Sequence, residues 1–176
     1  MKSGTPTRRY VGSIRTTGTS GQCEDSETKR LVWNYHNRLR RRVRRREDGV
    51  ANWTYTTATW RQANGNAANQ IAVLVGLAEA MIHVILDCAA SNTNTGVLLN
   101  IGIAVDRTDG TDTGGGVGHT ALANAGVPLT VTLVSPLALG YHYIAWTEMS
   151  AATGTTTFYG AAFVGYGTGL EGWYEC

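Results

Sequence analysis

Apolar and polar positions alternate with a period of two through most of the chain beyond Trp53, the spacing of strands that bury one face. Ile71, Val73, Val75 and Leu77 form one apolar stripe. After a break at residues 76–80, a second run places Ile82, Val84, Leu86 and Cys88 on one face, with His83 and Asp87 opposite. A single helix from Gln70 to Ala89 is the rival reading, because Glu79, His83 and Asp87 are also four apart. The β-branched residues Ile71, Val73, Val75, Ile82 and Val84 lean against it. A third stripe, Val97, Leu99, Ile101, Ile103 and Val105, stops at Asp106, where a long loop begins that nothing periodic organises. Shorter strands are predicted within residues 53–60 and over 11–16, 129–134, 141–149, 155–159 and 170–174, with turn-rich separators such as Ser135-Pro136 and Gly140. Roughly eight to ten short strands without a βαβ rhythm predict an all-β fold, an antiparallel β-sandwich or barrel.

Residues 31–46 are harder to read. Leu31, Trp33, Tyr35, Leu39 and Val43 fall on odd positions, and Arg38, Arg40, Arg42 and Arg44 on even ones. This is the pattern of a strand with one buried and one basic face. A helix carrying Tyr35, Leu39 and Val43 fits the second half nearly as well.

Charge sharpens the picture. The 176 residues carry a formal net charge of only +2. Residues 1–46, however, hold 13 of the 15 lysines and arginines and come to +10, whereas residues 47–176 come to −8. The expected organisation is a basic N-terminal arm or first strands (1–46) on a β-sandwich body (47–176), one compact domain overall. Disorder, coiled coil and collagen are excluded by the 43% hydrophobic content and the pattern. No membrane segment is expected, since the most apolar stretch, Ile71 to Ala90, is interrupted by Glu79, His83 and Asp87.

The strongest chemical signal is the arginine run. Arg38, Arg40, Arg41, Arg42, Arg44, Arg45 and Arg46 place seven guanidinium groups within nine residues. Each can fork onto carboxylate or phosphate oxygens. The acidic remainder of the chain and the lack of a recognition motif disfavour nucleic acid and favour a docking or intersubunit face. Acids of a neighbouring copy are one candidate partner.

The other signals are fainter. Cys23, Cys88 and Cys176 are widely spaced, with no metal-binding pattern. Cys88 reads as core, and Cys23 with Cys176 as candidates for an intersubunit disulfide. The glycines at 114–118 lack the Lys-Ser/Thr of a phosphate loop, and Asp106, Asp109 and Asp112 do not match a calcium loop. No histidine sits in a catalytic motif, so neither an enzyme nor a cofactor or metal is expected. His119 and Tyr166, in glycine-rich loops, are candidates for an exposed recognition surface.

Three blocks carry a resemblance: RRYVGSIRTTGTSGQCEDSETKRLVWNYHNRL from Arg8, NWTYTTATWRQANGNAANQIAVLVGLAE from Asn52, and GYHYIAWTEMSAATGTTTFYG from Gly140. Together they resemble virion structural proteins of tailed bacteriophages, found as head, neck or tail-fibre components. The resemblance implies a jelly-roll-like β-sandwich that is a non-enzymatic, oligomeric part of the virion, with a trimer favoured. Its partners would be the major capsid or the neck and tail proteins of the same particle. The chain departs from that family in lacking a preceding stalk, in its dense arginine run, and in Cys23 and Cys176. A capsid decoration or fibre-base protein is therefore the expected role, with a host-glycan recognition module as the alternative.

Overall fold

The computed structural model describes residues 9–47, 49–113, 115–120, 122–162 and 167–176. Among them the strands are β1 (Gly12–Ile14), β2 (Lys29–Arg30), β3 (Val32–Asn34), β4 (Arg40–Arg46), β5 (Asn52–Tyr55), β6 (Arg61–Gln62) and β7 (Gln70–Val75), followed by β8 (Met81–Asn92), β9 (Leu98–Val105), β10 (Gly116–His119), β11 (Val127–Pro136), β12 (Gly140–Met149), β13 (Thr156–Tyr159) and β14 (Gly169–Glu175). Residues 70–89 form two strands rather than one helix, with a turn closed by the Ala80 amide on the Leu77 carbonyl.

Two sheets face each other. In the first, β8 is central: β11 runs along one side, and β14 then β13 share the other, with β4 beyond β14 and β5 beyond β13. In the second, β12 lies between β9 and the pair β7 and β6, with β10 beyond β9 and β2 beyond β7. The main strand orders, β4-β14-β8-β11 against β7-β12-β9-β10, are those of a jelly roll, in which the chain crosses repeatedly between sheets. Among the described residues all strand pairings are antiparallel except β2 with β7.

The core lies between the sheets and is built from the stripes visible in the sequence. Ile71, Val73, Ile82, Val84, Leu86, Leu99, Ile101 and Ile103 are fully buried, together with Ile144, Trp146, Leu170 and Tyr174. The sheet backbones also pack closely. A Cβ at Gly172 would overlap the His83 carbonyl of the neighbouring strand, so β14 can approach β8 only with glycine there.

Of the arm or first strands expected over residues 1–46, the pairing shows strands. β4 is hydrogen-bonded to β14 along its whole length, and Val43 is 0% exposed in the core. β2 extends the second sheet, so much of the basic segment is woven into the body rather than forming an arm. The alternating run from Leu31 is also broken. It forms β3 and β4, separated by bends at Tyr35 and His36 and a short irregular stretch. β1 and β3 make a separate two-stranded ribbon, and Trp33 lies buried over Gly76, where any side chain would collide with its ring.

Candidate functional site

β4 takes its strand form from alternation around Val43, and its position beside β14 decides where the arginines meet acids. In register, Arg40 faces Glu175, Arg42 faces Trp173 and Arg44 faces Glu171. The Arg40 Nε donates to Glu175 at 3.3 Å, and its guanidinium lies 4.3 Å from the Trp173 ring centroid. On the far side of Trp173, His83 of β8 stacks at 5.6 Å. Glu171 accepts from Arg42 at 2.6 Å and Arg46 at 3.2 Å, both on diagonals. The Arg42 hydrogen bond, reinforced by Arg46, holds the Glu171 carboxyl below its ordinary range despite some burial.

The remaining arginines are paired in the same way. Arg38 bonds Glu79 at 2.6 Å, Arg41 approaches Asp25 at 3.7 Å, and Arg45 meets Glu47 at 3.3 Å. Glu47 is buried and also accepts from the Asn66 amide, while the Arg45 Nε donates to Asn69. Arg30 crosses to the open edge of β4 and donates to the Arg42 carbonyl at 3.1 Å, beside the Arg44 amide bonded to the Glu27 carbonyl. Six of the seven arginines in the run therefore have a carboxylate of their own chain within ion-pair distance. Within this chain, these acids lie on β14, in the segment before β2, and at residues 47 and 79. Arg44 alone of the run has none among the described residues.

Beside this edge lies a trough. A cavity of about 500 Å³ lined by Thr28, Lys29, Arg45 and Tyr141 adjoins one of about 310 Å³ lined by Arg44, Arg45 and Arg46. It also adjoins a third of about 190 Å³ that reaches Arg15. The Arg15 guanidinium sits 3.6 Å from the Tyr141 ring centroid.

The cysteines separate by burial. Cys23 is exposed, whereas Cys88 and Cys176 are buried. Cys176 is 2% exposed, and burial pushes its thiol up to about 11. An intersubunit disulfide through Cys176 is corrected on this ground: in the folded chain a partner's thiol has no path to it. Burial also raises the Cys88 thiol, as expected for core. Tyr166 lies outside the described residues, as does the His119 side chain, although the His119 backbone closes β10 opposite Leu98.

The acidic loop is organised by local bonds. Asp106 accepts from the Tyr143 amide and pairs with His142 at 2.6 Å, and Asp112 accepts from the Val105 amide and pairs with Arg107. Among the described residues no three metal-ligating side chains gather, and no helix is long and apolar enough to cross a membrane.

One cluster escaped the sequence reading. Glu148 on β12 is 0% exposed and accepts from Trp53 Nε1 at 2.7 Å, Arg61 Nε at 2.9 Å and the Asn64 amide at 3.2 Å. Burial raises its pKa even so, against the pull of Trp53 and Arg61. It ties β5, β6 and β12 together at one end of the sandwich. No sequence motif marks it, because its partners lie 84 to 95 residues away.

Compared with family models and with curated proteins, the chain matches none.

Proposed function

We propose that this chain is a non-enzymatic structural protein of a tailed-phage virion, which docks on the capsid or neck as a decoration or fibre-base protein and works as a homo-oligomer. The observation that carries this reading is the exposed apolar surface of the β1–β3 ribbon and the turn after it. Val11 is 65% exposed and Ile14 70%, and Tyr10, Tyr35 and Leu39 are exposed as well. Tyr10 and Tyr35 pack edge to face at 6.1 Å, and the Tyr35 amide bonds the Val11 carbonyl, so these groups are held by structure rather than left on a loose tail. Large apolar side chains fixed at the surface favour burial against another protein.

Two further facts support the reading. The jelly roll is an architecture shared by viral capsid and lectin domains. The sequence blocks that resemble phage virion proteins include the ribbon. The arginine strand enters the proposal in a changed role. Its ion pairs hold β4 against β14, and Arg38, stacked 5.9 Å from Tyr35, borders the apolar surface.

The test is occupancy on purified particles. The protein carrying a small tag should co-sediment with virions and appear at repeating positions on the shell or neck by electron microscopy. Absence from particles, with clear binding on a glycan array, would favour the host-recognition alternative.

A further inference from the structure

We propose that the trough along β2 binds the phosphodiester backbone of a single-stranded nucleic acid. The three cavities form one channel. The largest shares Thr28 and Arg45 with the second, and Lys29, Ala72 and Tyr141 with the third. The trough thus runs past β2 and the edges of both sheets, from the end of β4 to the loop after β1.

Its walls are cationic along the whole length. Arg44, Arg45 and Arg46 line one end, Lys29 the middle and Arg15 the other end, against Glu27 as the one lining carboxylate among the described residues. Three of these cations have internal partners: Lys29 with Glu24, Arg45 with Glu47, and Arg46 with Glu171. Arg44 and Arg15 have no carboxylate partner among the described residues. The Arg44 Nε is shielded from solvent and finds no acceptor there. Arg44 nevertheless lines the cavity and is only partly buried, so the accessible part of its guanidinium, with no carboxylate to pair it, can take an oxyanion there.

These two guanidiniums stand at opposite ends of the trough, with Lys29 between them. A single phosphate cannot span that arrangement, whereas a chain with one phosphate per residue can. The Arg15 and Tyr141 stack adds a platform of the kind on which nucleobases pack, for which an acidic peptide has no counterpart. Thr28 lines two of the three cavities and can turn its hydroxyl from Ser26 to a phosphate oxygen. A single strand, whose bases are free to stack on the Arg15 and Tyr141 platform, is the fitting form. Overall charge disfavours nucleic acid, while local charge along this channel favours it. The inference does not depend on the virion reading and can fail separately from it.

The test is fluorescence anisotropy of a labelled oligothymidylate of about twelve nucleotides with the full chain. Binding should occur at low salt and weaken steeply as salt rises. The double variant Arg15→Gln, Arg44→Gln should bind about tenfold more weakly and show a salt slope lower by about one to two. Neither residue forms an ion pair with a described residue, so its thermal unfolding should lie close to the parent's, lowered only by loss of the Arg15 and Tyr141 contact. Thr28→Glu, which places a carboxylate mid-channel, should weaken binding similarly and decides the matter if the double variant fails to fold. Arg40→Gln, on the outer face of the sheet and outside the channel, should change affinity by less than about twofold. The proposal is overturned if the parent shows no salt-sensitive binding, if Arg40→Gln weakens binding as much as the double variant, or if polyglutamate of similar length competes equally well.

Discussion

Glu171 on β14 bypasses Arg44, the residue directly opposite it, and binds Arg42 and Arg46 on the two diagonals. One carboxylate therefore bridges two arginines and passes over the one between them. The result is a strand whose charge is mostly satisfied within the chain, with Arg44 left to line the trough.

That pairing sets a pH dependence. Arg42 and Arg46 depress the Glu171 pKa, so its stabilisation is fully present above the unfolded value of 4.5 and is lost as pH falls through the lower folded value. Because the site is largely exposed, the contribution is small, about 0.5 kcal/mol. Glu171→Gln should be less stable than the parent by about that amount near neutral pH, and the gap should close in acid. Urea unfolding across the acid range checks this.

Glu148 runs the other way. Its folded pKa is raised by burial, so its contribution is full below 4.5 and declines as pH rises through the folded value. The stability of Glu148→Gln relative to the parent should improve from about pH 4 to about pH 7. Glu148→Ala, which strands Trp53 Nε1 and Arg61, should cost about 3 kcal/mol. Parallel stability curves for the parent and the Gln variant would contradict the assignment.

β4 is part of the sandwich. Val43→Ala should lower stability by about 2 kcal/mol, the usual scale for emptying a buried site, and removal of residues 1–46 should abolish cooperative unfolding. A truncated chain that melts like the parent would show that the body stands without β4.

Thiol chemistry follows burial. In the native state Cys23 should react quickly with a disulfide reagent, while Cys88 and Cys176 stay silent until denaturant is added. Fast labelling of Cys176 in the folded protein would contradict its placement.

The core was legible because β7, β8 and β9 each carry an apolar residue at every second position, and a period of two sends those side chains to the same face of a strand. The strand order was not legible, since pairings such as β4 with β14 join distant segments. β10 escaped because its Gly116 and Gly118 give no apolar alternation. β2 escaped because it is only two residues long and is held by β7 rather than by its own pattern. The arginine run was obvious as charge, but its meaning lay in partners 125 to 135 residues away. The trough draws on positions 15, 28, 29, 44–46 and 141, which only the fold assembles.

The central claim is that the apolar ribbon, rather than the arginine strand, joins this protein to its particle. Its most direct test is particle occupancy for two variants compared side by side: Val11→Ser, Ile14→Ser, Leu39→Ser, and Arg40→Ser, Arg42→Ser. The apolar variant should leave the particles while remaining folded, and the arginine variant should stay bound although less stable. Retention of the apolar variant together with release of the arginine variant would contradict it.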